Sequence, residues 1–312
     1  MNAIISPRLL RAVLPAVSLA IILLLIFSLN ERTMSYNGLR LLLKLSVPIV
    51  LATIAQMFVL CINELDLSIG NFVGLTACIT ATLLHDTPLL GAAALAGCVA
   101  AYAAMGALIH IRNLPSIVVT LGMSFVWLGV AVLILPAPGG KSPEWIQALM
   151  NARTPFIPMP ILMAAVIGIA VHLFLIRSAY GTILRGAGGN AASVERAGWS
   201  LLRVKVTMFA IAGLFGVLAG MALVGLTTAA DANIATRYTL LSIAGAILGG
   251  SEFVGGRVSP IGAVIGALTL TLTIPFLTFL RLSPDFQIGA QGAILILVLA
   301  LRAIINRAEA KA

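Results

Sequence analysis

NELDLSIGNFVGL, residues 63–75, sets two carboxylates, Glu64 and Asp66, between two long apolar runs. In a soluble chain this would be an ordinary polar loop. Here 61% of the 312 residues are hydrophobic and 9% are charged, with a mean hydropathy of +1.12, whereas soluble domains carry roughly 25% charged residues. A water-soluble fold needs more polar surface than this composition supplies. The chain is therefore read as an integral membrane protein, and the stretch around Glu64 and Asp66 as a break between two segments that belong in lipid.

Outward from that break, the chain divides into apolar segments separated by Pro, Gly or charged residues, each near the roughly 20 residues that a bilayer crossing requires. They are Ala12–Leu29, Leu41–Ile62, Leu67–Leu84, Pro88–Leu108, Ser116–Leu135, Pro160–Ile176, Val206–Leu226, Asn233–Gly250, Ser259–Leu280 and Phe286–Leu301, ten in all. The fold class is all-α and polytopic, with some helices broken or re-entrant. Ala12–Leu29 is too long for a signal-peptide core and FSLNERT offers no small-residue cleavage site, so it is read as a retained span.

Lys and Arg enrich cytoplasmic loops. With the N-terminus inside, twelve of the 19 basic residues fall inside; the seven outside are Arg32, Arg40, Lys44, Lys141, Arg153, Arg237 and Arg281. This places both termini in the cytoplasm. A loop at about 136–159 then lies outside, and one at about 177–205, with five basic residues, lies inside. The formal charge of +9 is scattered between apolar runs rather than gathered on one face, which argues against nucleic acid as a partner.

Few residues point to chemistry on the chain itself. Cys61, Cys78 and Cys98 have neither disulfide nor metal spacing, and His85, His110 and His172 lack a zinc-binding pattern. GGKS at Gly139–Ser142 ends like a phosphate-binding loop, but Leu135 stands where that motif needs glycine. No metal, bound cofactor or nucleotide site is expected, so a pump of this kind must borrow an ATPase or use an ion gradient. Glycines four apart, at Gly70/Gly74, Gly216/Gly220, Gly245/Gly249 and Gly262/Gly266, read as close helix packing within the bundle.

The break has two readings. In the first, Asp66 or Ser68 caps the following helix and complements its dipole; this is preferred for Asp66. In the second, a broken helix presents polar groups to a hydrophilic substrate, and Glu64 is harder to explain as a cap. IGNFVGLT at Ile69–Thr76 also echoes IGAVIGALT at Ile261–Thr269, which leaves an internal duplication open. In the inner loop, Ala191–Ala197 has the pattern of a short helix, with Asn190 as N-cap and Gly198 as its stop. That helix is either a handle for a soluble partner or part of a plain basic loop that sets topology.

Three blocks give the chain a family resemblance over about Leu41–Leu301. ELDLSIG at Glu64–Gly70 is similar to a Gly-Gly-Ile-Asp-Leu-Ser-Val-Gly pattern, matching at Asp66, Leu67, Ser68 and Gly70 and departing at Asn63 and Glu64, where small glycines are usual. YGTILRGAGGNAASVERAGWSLLRVK matches a cytoplasmic loop at Gly188, Gly189, Asn190 and Gly198, and departs at Glu195, where a basic residue is common. The third block, AILGGSEFVGGRVSPIGAVIGAL, matches at Gly249, Gly250, Ser251, Gly255, Gly256, Arg257 and Gly262, and Gln287 matches a later polar position. The chain resembles the permease subunits of bacterial ATP-binding-cassette importers for ribose, xylose, arabinose and galactose.

That resemblance implies a single transmembrane permease domain over residues 1–312 of the bacterial inner membrane, a half-channel of about ten helices. It pairs with a second permease copy or a paralogue. Two ATPase subunits would use ATP beneath it, and a periplasmic solute-binding protein would deliver a monosaccharide or related small polar solute. Gly188, Gly189, Asn190, Ala191, Ala192, Ser193, Glu195, Arg196 and Gly198 are then the segment that docks on the ATPase. Asn63, Glu64, Asp66, Ser68, Asn71, Thr120, Ser124, Thr227, Asn233 and Gln287 are the candidate pathway residues. A stand-alone ion-coupled transporter using Glu64 and Asp66 is the alternative.

Overall fold

In the computed structural model, residues 7–253 and 255–283 are described, with isolated positions between 286 and 300. The described residues form helices and connecting segments without a β-sheet. In order these are α1 (Pro7–Leu29), α2 (Tyr36–Leu42), α3 (Ser46–Cys61), α4 (Ile69–Ala81), α5 (Leu83–Asp86), α6 (Pro88–Ile111), α7 (Ser116–Ile134) and α8 (Glu144–Asn151). Then follow α9 (Met159–His172), which continues as a wider π turn to Arg177, α10 (Ala179–Gly189), α11 (Ala191–Arg196), α12 (Leu201–Thr227), α13 (Tyr238–Leu248) and α14 (Pro260–Phe279). Apolar runs become helices because lipid offers no partner for backbone N–H and C=O groups, which must pair within the segment.

Local chemistry sets many of the ends. Pro88 opens α6 and Pro260 opens α14, where the missing N–H costs nothing. Ser178, Asn190, Ser200 and Ser259 each accept a bond from a backbone N–H in the first turn of the helix that follows. The short helix expected after Asn190 is α11. It ends as the sequence indicates: Gly198, at φ +84, bonds Glu195 O, and Trp199 N bonds Val194 O.

Among the described residues five helices are long and apolar enough to cross a membrane: α6, α7, α9 with its π turn, α12 and α14. The pair α2–α3, bent by 48°, makes a sixth when taken as one span. Two of the ten expected crossings are short. The 13 residues of α4 and 11 of α13 rise about 20 and 16 Å, against roughly 30 Å of hydrocarbon. The expected span Phe286–Leu301 falls mostly outside the described residues, and Gln287 is among those outside.

Every residue of α3 and α4 is buried, and α12 packs on α3, α4 and α6. The apolar faces of α6, α7 and α9 point outward, with Val118, Phe125, Leu133 and Val166 more than half exposed. The four glycine pairs all sit at close internal approaches: Gly70 and Gly74 against the backbone of residues 232–236, Gly216 and Gly220 against Phe72 and Thr76, and Gly245 and Gly249 against α14 at Gly262 and Gly266.

Two hairpins of this bundle share one design. α3 runs to the Glu64 end, Asn63 turns left-handed (φ 61), and α4 starts only at Ile69 and runs back toward the opposite end, where Lys141 N bonds Ala81 O. α12 runs from the Glu64 end, Thr228 turns left-handed (φ 68), and α13 starts only at Tyr238 and runs back. The two hairpins are antiparallel, so their half-length limbs meet N-terminus to N-terminus. The sequence echo pairs α4 with α14, whereas the geometric counterpart of α4 is α13.

Candidate functional site

The meeting point of α4 and α13 lies inside the bundle. Asn71 Nδ2 donates to Ser124 Oγ (2.8 Å) and Ser124 O (3.2 Å), and Asn71 Oδ1 accepts from Thr236 Oγ1 (3.3 Å). Ser124 stands about 12 Å along the 19-residue α7, so this junction is near mid-span. Gly70 N donates to Thr239 Oγ1 (3.0 Å), which satisfies an orphan amide of the first turn of α4 from across the junction. A side chain on Gly70 would collide with that hydroxyl and with the Ala235 and Thr236 carbonyls.

Below the junction, the extended segment before α4 cannot pair with itself, and side chains from three helices satisfy it. Leu65 N donates to Ser116 Oγ and Leu67 N to Thr120 Oγ1, both at 3.1 Å. The Gln56 amide of α3, turned to match both groups, donates to Asp66 O (3.0 Å) and accepts from Asp66 N (3.3 Å). Asp66 is fully buried. Its Oδ1 accepts from Ser68 N and Ser68 Oγ, each at 2.7 Å, and its Oδ2 accepts from Tyr102 Oη of α6. Ser68 occupies the N-cap position of α4 but makes no capping bond with its side chain, since its hydroxyl is committed to Asp66. Asp66 thus secures the approach to α4, and Thr239 supplies the cap that the sequence assigned to Asp66 or Ser68.

At the Glu64 end, Lys205 Nζ of α12 lies 2.5 Å from Glu64 Oε1, with side chains 24% and 16% exposed. The pair borders a cavity of about 360 Å³ that also touches Asn63, His110, Asn113 and Gly188. The predicted docking segment forms one wall. Gly188 of α10 packs on the Cys61 carbonyl and on Gly256 N, and Gly256 N itself donates to Cys61 O (2.7 Å). Any side chain at Gly188 would drive into that carbonyl. Beyond it, α11 tucks Val194 inward and leaves Ala191, Ala192, Ser193, Glu195 and Arg196 exposed. Arg185 Nε bonds Leu175 O (3.0 Å), tying α10 to the end of α9.

At the opposite end a cavity of about 490 Å³ is bounded by α2, α3, α12, α13 and α14. Thr227 and Asn233 line it, beside Arg237 and Tyr238. Arg237, counted in the sequence among outer-loop cations, takes the N-cap position of α13, next to the Asn71–Thr236 bond.

The candidate pathway residues therefore separate. Asn63 and Glu64 line one cavity, and Thr227 and Asn233 line the other. Asp66, Ser68, Asn71, Thr120 and Ser124 are buried and hydrogen-bonded around the broken backbone. Sequence reasoning passed over Gln56, Tyr102, Thr239, Arg237 and Lys205. Gln56, the one amide in the largely apolar run Val47–Cys61, was the one available signal; Tyr102 and Thr239 become partners only through tertiary contact.

A family model described as branched-chain amino acid transport system / permease component matches residues 39–299. Among similar proteins, a ribose import permease protein of Escherichia coli is 24% identical over 290 residues, covering 90% of each chain. An L-arabinose ABC transporter permease protein of Azospirillum brasilense is 29% identical over 252 residues, 78% of this chain and 73% of its own. A galactose/methyl galactoside import permease protein of Haemophilus influenzae is 27% identical over 259 residues, 76% of this chain and 77% of its own. No solved structure matches. With two broken hairpins meeting inside an apolar bundle and a family match over most of its length, this multi-pass membrane protein belongs to the branched-chain amino acid transport system / permease component family, as a permease subunit of an ATP-binding-cassette importer.

Proposed function

We propose that the chain forms one half of the pathway by which a monosaccharide or related small polar solute enters a bacterial cell across the inner membrane. Its full complement is ten crossings, with α4 and α13 as half-spans, and both termini face the cytoplasm. A second permease copy or a paralogue supplies the other half. A periplasmic binding protein delivers solute to the end away from Glu64, near the loop at about 136–159. ATP is hydrolysed by separate ATPase subunits that dock on the loop at about 177–205.

The observation that carries this reading is the seat of α10–α11. A docking helix is useful only if its motion reaches the pathway, and Gly188 bears on Cys61, the last residue before one break, and on Gly256, in the glycine-rich segment before α14. A push on α11 is thereby delivered to α3–α4 and to α14 together, with Val194 and the Arg185–Leu175 bond keeping the segment stiff. The break is the natural place for the response, because it lacks the continuous helical ladder that would resist bending. The ion-coupled alternative is weakened by the surroundings of its carboxylates: Asp66 is enclosed with both oxygens occupied, and Glu64 is paired with Lys205.

The test is uptake into proteoliposomes holding the chain, its ATPase and its binding protein. Labelled pentoses, hexoses, polyols and sugar acids are supplied outside, with ATP inside or omitted and with or without an ionophore. The expected result is uptake that needs ATP and the ATPase and ignores the ionophore. Uptake by the chain alone, abolished by the ionophore, would overturn the reading and return Glu64 and Asp66 to the centre.

A further inference from the structure

The cavity at the end away from Glu64 combines size, depth and charge in a way that speaks to its occupant. Its volume of about 490 Å³ falls within the roughly 300–1,000 Å³ of small-molecule sites. Its wall is largely leucine and isoleucine, and of its polar side chains Thr227 and Thr271 already donate to backbone carbonyls. Of the remaining three, Tyr238 is buried, and Asn233 and Arg237 are turned to solvent. No Asp or Glu lines this cavity, and among the described residues Arg237 makes no ion pair.

A guanidinium at the start of the half-length α13, with no ion pair among the described residues, is costly unless it meets water or an anion. A neighbouring recess, sharing Leu41 with the cavity, is walled by Arg40 and Lys44 and likewise lined by no carboxylate. Basic residues are normally depleted on the outer side of a membrane protein, so under the orientation proposed above these three cations run against the usual bias. They form a graded positive approach, of the kind that concentrates anions at a site. A neutral sugar would gain from Arg237 only ordinary hydrogen bonds, whereas a carboxylate matches its planar donors two at a time.

We infer that the cavity takes a monosaccharide-sized sugar acid, with Arg237 receiving its carboxylate, Asn233 available to a hydroxyl, and Arg40 and Lys44 drawing it in. The inference deepens the importer reading and rests on it for the direction of travel. The test is ligand-induced thermal stabilisation of the assembled permease–ATPase complex in nanodiscs, without the binding protein, using gluconate and galacturonate against glucose and galactose at fixed ionic strength. The acids should raise the unfolding midpoint and the neutral parents should not. Arg237→Gln should weaken the acids' apparent affinity about tenfold or more, the loss of one charge-assisted fork, while Arg237→Lys should retain part of it.

Equal response to neutral sugars, or an acid response unchanged in Arg237→Gln, would overturn the assignment. So would dissociation of the Arg237→Gln complex into single permeases, which would place the partner of Arg237 on the second copy. Failure of ATP-driven uptake in proteoliposomes would instead sink the importer reading while leaving acid binding at Arg237 measurable by itself.

Discussion

Asp66 is tolerated in an apolar bundle because each of its oxygens is engaged by a fixed donor, and the amide of Gln56 brackets its backbone. Removing one donor strands a buried acceptor, a loss of roughly 1–3 kcal/mol and more when charge is involved. Tyr102→Phe should therefore lower the thermal midpoint of the purified protein, and Asp66→Ala, which removes the acceptor of all three donors, should lower it further. Uptake should fall with stability and show no dependence on an ion gradient. Glu64 and Lys205 hold the break against α12 from the solvent side. Glu64→Lys or Lys205→Glu alone should cost about 1–3 kcal/mol, between the exposed and buried limits for such pairs, and the double exchange should recover much of it in a double-mutant cycle. The motif around Asp66 was legible in the sequence. The left-handed turn at Asn63 was not read there, although asparagine is one of the few residue types that tolerate that backbone.

The helix ends written in local code were readable, as α11 with its Asn190 cap and Gly198 stop demonstrates. The end of α4 was not, because its cap comes from Thr239, 169 residues away. Thr239→Val should destabilise the junction by about 1 kcal/mol, the usual value of a cap, and Thr239→Ser should restore it, as read by chemical or thermal unfolding. The seat of α10 is equally specific. Gly188→Ala would place a methyl against the Cys61 carbonyl and lift the segment from the break. Its expected signature is ATP hydrolysis by the assembled complex that no longer rises with transported solute, and a complex whose hydrolysis still tracks uptake would show that α10 does not transmit.

At the scale of the molecule, α11 offers a contrast that separates docking from folding. Glu195 and Arg196 are both exposed, so reversing them together as Glu195→Lys and Arg196→Glu should leave the permease's own unfolding midpoint unchanged. Binding of the ATPase and transport-linked hydrolysis should fall, while unchanged hydrolysis in the assembled complex would remove α11 from the docking surface. Composition, apolar run length, capping residues and the three glycine-bearing blocks are local properties. By themselves they determined that the chain lives in lipid, is all helical and carries the permease motifs. Only the tertiary structure decided where α4 and α13 begin, that Thr120 and Ser124 bond to the segment around Asp66 and Asn71, and that Arg237 faces a cavity. The physical reason is that a helix beginning in mid-span is terminated by partners from distant elements. A linear apolar run, in which every residue looks equally suited to lipid, carries no record of which face or which depth those partners will claim.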